Sequence, residues 1–138
     1  MHIEITGFDD LIKKLEKLSD KSKVDAIAKK AVEAATPTAV SAVRSAVRGS
    51  EYGPRSTGSV AASITGTPAK INTFGVFSVA KPTGYDPHGR SNAYKATMLE
   101  NGNSKIGARP WRSKAVASAE PACIRIMEDI IKSDMQLD

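Results

Sequence analysis

The 138-residue chain carries 20 Lys/Arg against 15 Asp/Glu, a formal net charge of +5, and is 41% hydrophobic but only 5% aromatic. This length suits one domain over residues 1–138 and leaves no room for two independent cores. No apolar run of about 18 residues occurs, which excludes a membrane-spanning helix, and the single cysteine, Cys123, excludes an intrachain disulfide and a cysteine-rich zinc site.

The start, Met1-His2-Ile3-Glu4-Ile5, lacks the basic segment and apolar stretch of a secretion signal. A soluble protein in a reducing cytoplasm is the expectation. Residues 2–6 alternate polar and apolar, as a short strand does, and Gly7 ends them. Asp9 is positioned to cap a helix carrying Leu11, Leu15 and Leu18 on one face, with Lys13, Lys14 and Lys17 on the other. After a polar break at residues 19–22, a long helical pattern begins. Val24, Ile27, Ala28, Ala31 and Ala35 share a face, which Ala39, Ala42, Val43 and Ala46 continue to about Arg48. Pro37 interrupts this pattern, and an interior proline costs roughly 3 kcal/mol. Two readings stand: one long kinked helix, or two helices with Thr36 as N-cap and Pro37 in the first turn. The stripe keeps its phase across Pro37, which favours the kink.

Residues 49–58 read as a loop, with Gly53-Pro54 and Ser56-Thr57-Gly58. Residues 60–64 are too short to assign. Residues 74–79 are the best strand, with Phe74, Val76 and Ser78 on one face and Phe77 and Val79 on the other. Residues 81–92, with two Pro and two Gly, predict a long exposed loop that orders against a partner. Lys81, Tyr85, Asp86, His88 and Arg90 are its candidate contact residues. After residues 93–100 and a second Gly/Asn-rich loop, Pro110 is expected at the first position of the last helix. That helix places Ala115, Val116, Ala119, Ala122, Cys123, Ile126, Met127, Ile130 and Ile131 on an apolar face, with Pro121 predicting a bend or break. The fold class is α+β: a small antiparallel sheet packed by a long kinked central helix and a C-terminal helix. Alanine supplies much of the apolar content and buries little area, so self-association is expected.

Charge is unevenly distributed. Residues 44–114 hold eleven Lys/Arg against Glu51, Asp86 and Glu100, a local excess of +8, while the flanks hold nine basic and twelve acidic residues, a balance of −3. Such a middle suits an acidic protein partner or non-specific contact with DNA, against the plain alternative of a solvated surface, and a small non-specific DNA-binding protein that uses this basic segment is the alternative functional reading.

No catalytic set emerges. Asp86-Pro87-His88 offers two metal ligands but no third. No Gly-x-Ser-x-Gly elbow occurs, and residues 66–70 lack the Gly-Lys-Ser/Thr ending of a phosphate loop. Cys123 lies on an apolar face, where an inert thiol is expected. No catalytic, cofactor or metal residue is assigned, and no zinc finger or ribonucleoprotein motif is present. Tyr52, Tyr85 and Tyr94 offer faces on which bases can stack, but covering an apolar edge or a loop is the favoured expectation.

Two segments carry a resemblance: residues 54–64, with Arg55, Thr57-Gly58 and Ser63-Ile64, and then Tyr94, Leu99-Glu100-Asn101-Gly102 and Ala108-Arg109-Pro110-Trp111. Their order is similar to that of the tail-component family of long-tailed bacteriophages, small proteins of the head–tail junction (neck or tail-completion proteins). The Gly-Phe-Asp-Asp-Leu start, the Lys-rich helix and the Ala-rich helix are similar too. Asn101, Asn103 and Arg112 depart from the family pattern. The resemblance implies a non-enzymatic, ring-forming homo-oligomer in the virion tail or neck, assembled in the host cytoplasm against other head–tail junction or tail proteins. Arg55, Thr57, Gly58, Tyr94, Glu100, Gly102, Arg109, Pro110 and Trp111 are its motif or interface candidates. Thr57-Gly58 turns the chain out of a loop, Trp111 anchors the last helix against the sheet, and Arg109 bonds a carbonyl or Glu100.

Overall fold

The computed structural model describes residues 21–52 and 56–135. The expected strand at residues 2–6, the helix bearing Leu11, Leu15 and Leu18, and Arg55 lie outside the described residues. The described elements are α1 (Lys21–Ser50), α2 (Ser59–Ser63), β1 (Thr65–Gly66), β2 (Lys70–Asn72), β3 (Gly75–Phe77), β4 (Ala80–Lys81), α3 (Asn92–Asn101) and α4 (Arg112–Asp134).

Helix α1 runs 30 residues without interruption through Pro37, about 45 Å at 1.5 Å per residue. Helix α4 likewise continues through Pro121, so the break allowed there does not occur. Both prolines are on the exposed side of their helices, as are Glu33 and Ala117, whose carbonyls lose an i+4 donor. Water can take the donor's place there, which is why neither proline ends its helix.

The two helices lie antiparallel. Lys30 bonds Asp134, the Cys123 thiol reaches the Ala35 carbonyl at 3.6 Å, and Val43 and Val47 share a cluster with Trp111 and Ala115. Where the N-terminal half of α1 meets the C-terminal half of α4, the buried residues are Val24, Ile27, Ala31 and Ala35 against Ala119, Cys123, Met127 and Ile131. Small residues at the centre of this seam let the backbones approach, and burial raises the Cys123 thiol above its ordinary pKa. The second cluster gathers Val43 and Val47 of α1, Val60 and Ala61 of α2, Ile64, Ala80, Ala96 and Leu99 of α3, Trp111 and Ala115. Ala80 is its only strand residue. The expected docking of Trp111 against the sheet is therefore corrected: three helices and the start of a fourth enclose it.

The sheet is smaller than predicted and divided. β1 pairs β4, with Thr65 opposite Lys81 and Gly66 opposite Ala80; β2 pairs β3, with Lys70 opposite Phe77 and Asn72 opposite Gly75. These two antiparallel ladders are nested in one hairpin. The outer register extends to Thr67, whose N–H donates to the Val79 carbonyl at 2.9 Å. Pro68 and Ala69 then stand opposite Ser78 alone, which is a β-bulge, and the proline needs no ladder partner there. Residues 74–79 are consequently not one strand. Phe74 sits in the turn, 92% exposed, with the Asn72 Oδ1 accepting from the N–H groups of Phe74 and Gly75.

The base of the hairpin lies against α1. Thr36 Oγ1 bonds the Val32 carbonyl and the Ser78 hydroxyl, at 2.8 and 2.7 Å. These bonds hold the Thr36 methyl towards Gly66, where a Cβ would collide with it and press on Val40 at 3.2 Å. Gly66→Ala should therefore destabilise the fold by about 1–3 kcal/mol through overpacking. Thermal unfolding checks this, and a variant melting with the parent would show that Thr36 rotates away freely.

Candidate functional site

The sequence candidates converge around the second cluster, where loops outnumber regular structure. Three carboxylates organise them. Glu51, just past the end of α1, accepts from the N–H groups of Val60 and Ala61 at 3.2 Å each and so caps α2. Gly58 precedes that helix at φ 71°, the left-handed conformation expected of the Thr57-Gly58 turn. Thr57 Oγ1 accepts from the Ser59 N–H and from Lys95 Nζ.

Glu100, on α3, accepts at Oε2 from the N–H groups of Trp111 and Arg112, at 2.8 and 3.0 Å. It thereby supplies the cap that the Trp111 side chain cannot. The last helix begins at Arg112 with Trp111 as N-cap, so Pro110 lies just before the N-cap rather than at the helix's first position. The carboxylate sets the start; the proline only aligns the approach. The Trp111 indole is 1% exposed and donates from Nε1 to the Ala96 carbonyl at 3.0 Å.

Arg109 bonds a carbonyl and not Glu100. Its Nη1 donates to the Tyr52 carbonyl at 3.0 Å and reaches the Ser50 carbonyl at 3.5 Å, while its guanidinium lies 3.8 Å from the Tyr52 ring centroid. It closes the C-terminal end of α1, where unpaired carbonyls and the helix dipole favour a cation. Gly102 ends α3 at φ 74°, and a Cβ there would meet the Ala108 nitrogen at 2.6 Å. Asn103, a departure from the family pattern, accepts at Oδ1 from the N–H groups of Lys105 and Ile106 and forms the next turn.

Residues 81–92 differ from the structureless loop predicted. Lys81 belongs to β4, and Asn92 opens α3. Asp86 is 7% exposed; its Oδ1 accepts from the N–H groups of His88 and Arg90, and its Oδ2 pairs with Lys95 at 3.1 Å. Tyr85 bridges to Ser91. Tyr85, His88 and Arg90 remain exposed around this knot. Asn92, 2% exposed, was not singled out in the sequence; it accepts from the Ser59 hydroxyl and donates to the Thr83 carbonyl, tying α2 to this segment. A short open groove runs beside α3, lined by Arg90, Tyr94, Lys95, Met98 and Lys105. Among the described residues, no group of three His, Cys, Asp or Glu is arranged to hold a metal. No described helix is long and apolar enough to cross a membrane.

The family model described as "Bacteriophage HK97-gp10, putative tail-component" matches residues 9–102. The chain belongs to this HK97-gp10-like family. Comparison with curated proteins and with solved structures gives no match. Membership places the chain among phage tail components, which act in contact with other tail proteins. The matched stretch of this tail component ends at Gly102, where α3 is capped. The Arg109-Pro110-Trp111 segment and α4 follow it, and they complete the core that the matched helices leave open.

Two outcomes follow from these contacts. Removing the indole in Trp111→Ala should cost about 3–5 kcal/mol, a large part of the roughly 5–15 kcal/mol of such a domain; Arg109→Ala should lower the melting temperature less. Equal melting of Trp111→Ala and parent would contradict the core placement. For Asp86, the N–H of Arg90, then Lys95 and the N–H of His88, hold its carboxyl below the ordinary aspartate value of 3.8 despite burial. A depressed folded value means that this stabilisation is complete above about pH 4 and disappears as pH falls through the lowered pKa. NMR should show the Asp86 carboxyl titrating below 3.8, with the amide shifts of His88 and Arg90 following the same curve; titration at or above 3.8 would count against the knot.

Proposed function

We propose that this tail component is a head–tail joining or tail-completion protein that works through ring-type contacts between its own copies and with neighbouring tail proteins, in the virion tail or neck after assembly in the host cytoplasm. The observation that carries this reading is where the aromatics are spent. Of the six aromatic residues described, only Trp111 is buried, while Tyr52, Phe74, Tyr85 and Tyr94 are exposed. A chain short of aromatic core that still holds four outside presents the residue type most enriched at interface hot spots.

Their positions support a ring. Phe74 and the half-exposed Ile71 lie on the hairpin, and Tyr85 and Tyr94 lie around α3. Two different patches on one chain are what a head-to-tail interface needs, and such an interface closes into a ring when its rotation fits. Bonded turns hold both patches, so little ordering cost is left for association.

Light scattering over a wide concentration range should show a higher-order species of defined size. Phe74→Ser should weaken that association by about tenfold or more, as loss of a hot-spot aromatic does, with an unchanged melting temperature because Phe74 buries almost nothing within its own chain. A strict monomer at high concentration, also with its tail partners added, would sink the ring.

A further inference from the structure

The chain is electrically two-ended. Residues 21–43 and 115–135, the helical hairpin, hold six cations and six carboxylates. Residues 44–114 hold eleven cations and three carboxylates, and the structure shows where those three are used. Glu51 and Glu100 accept backbone N–H groups at the starts of α2 and α4. Asp86 is enclosed by two amides and Lys95. All three carboxylates of the segment are thus taken up by hydrogen bonds within the chain, Asp86 buried and Glu51 and Glu100 half-buried. Arg48, Lys70, Lys81, Arg90, Lys105, Arg112 and Lys114 are all exposed, and among the described residues none makes an ion pair.

Two of these cations line one open groove. Arg90 and Lys105 rim the groove beside α3, with Tyr94, 66% exposed, and Met98 between them and Ser91, Asn103 and Ser104 completing the wall. Both cations rise from pinned backbone. The Arg90 N–H donates to Asp86 Oδ1 at 2.8 Å, and its carbonyl accepts from the Asp86 N–H at 2.8 Å. The Lys105 N–H donates to Asn103 Oδ1 at 2.8 Å. Lys95, the third cation of the groove, is held by Asp86.

We propose that this groove is a contact site for the phosphate backbone of nucleic acid. Separated cations on fixed turns, hydroxyl and amide groups between them, and an exposed aromatic face form the combination that follows a sugar–phosphate chain without reading its sequence. An acidic side chain of a protein would engage one such cation. Seven outward cations distributed over helices, strands and loops suit an extended polyanion. The site depends on no ring and is present in a single copy of the chain.

Fluorescence anisotropy of the full chain with a labelled mixed-sequence duplex, and with the corresponding single strand, tests it. Binding should weaken steeply with salt. Arg90→Ala/Lys105→Ala should flatten the log–log salt slope by about 2, one per lost phosphate contact, with unchanged circular dichroism and melting because both side chains are exposed. Tyr94→Ala identifies the source: a roughly five- to hundredfold loss confined to the single strand marks base stacking, and no loss marks the duplex backbone. Absence of salt-sensitive binding by the parent, or an undiminished slope in the double variant, overturns the proposal. A parent that ignores nucleic acid but binds poly-glutamate assigns the groove to an acidic protein instead.

Discussion

The Glu100 carboxylate stands where the chain must turn from α3 into its last helix, and it determines how that turn is made. By accepting the N–H groups of Trp111 and Arg112, it replaces an N-cap that an indole cannot provide. The same two bonds hold the Trp111 backbone so that its ring enters the space bounded by α1, α2 and α3. Once Trp111 is seated, α4 leaves the cluster antiparallel to α1, and its Ala115, Ala119, Cys123, Met127 and Ile131 fall at four-residue steps along the facing helix. Gly102 completes the arrangement, since the backbone of residues 107–108 passes where any Cβ at position 102 would be.

The two acidic caps and the Asp86 knot share one physical economy. A carboxylate that accepts two N–H groups gains charge-assisted bonds and relieves backbone donors that short helices and tight turns leave orphaned. Here that arrangement also engages every carboxylate of the loop-rich end, Asp86 buried and Glu51 and Glu100 half-buried. Local folding and long-range field are thus set by the same three residues. Converting any of them to a neutral side chain would disturb a turn and, at the same time, make this end of the molecule more positive by one charge.

The helices were legible because burial follows a period. Val24, Ile27, Ala28, Ala31 and Ala35 lie on the buried face expected of them, and the phase carried past Pro37 meant one helix. The apolar face of α4 was legible for the same reason, although Pro121 suggested an interruption that the exposed side of the helix does not need. Shorter elements left no such signal. α2 has five residues and owes its existence to Glu51 and Gly58, both outside it. The divided hairpin depends on two residues facing one, which alternation alone does not reveal. In the Asp86 turn a local cue existed: an aspartate two residues before an amide, followed by Pro87 and Gly89, is an Asx-turn pattern. The composition pointed to an open loop, whereas this pattern pointed to a bonded one.

The remaining imbalance is between what the core uses and what the chain contains. Its seam is built from alanine, valine, isoleucine, one methionine and one cysteine, and its single aromatic anchor among the described residues is Trp111. Meanwhile Phe74 stands on a turn that Asn72 closes with two bonds, and Tyr85 and Tyr94 stand on a segment that Asp86 closes with two more. If these aromatics served only the isolated domain, burial would be the stabilising place for them, since an aromatic side chain removes about 150–250 Å² from water. Holding them outward on stiff supports forgoes that gain within one copy. The gain is recovered when a second surface covers them, and stiff supports mean that little conformational entropy is lost at that moment. On the proposed reading, a modest core and an aromatic exterior on bonded supports are two consequences of one distribution of residues, in which part of the stabilising area is deferred until a neighbouring surface covers it.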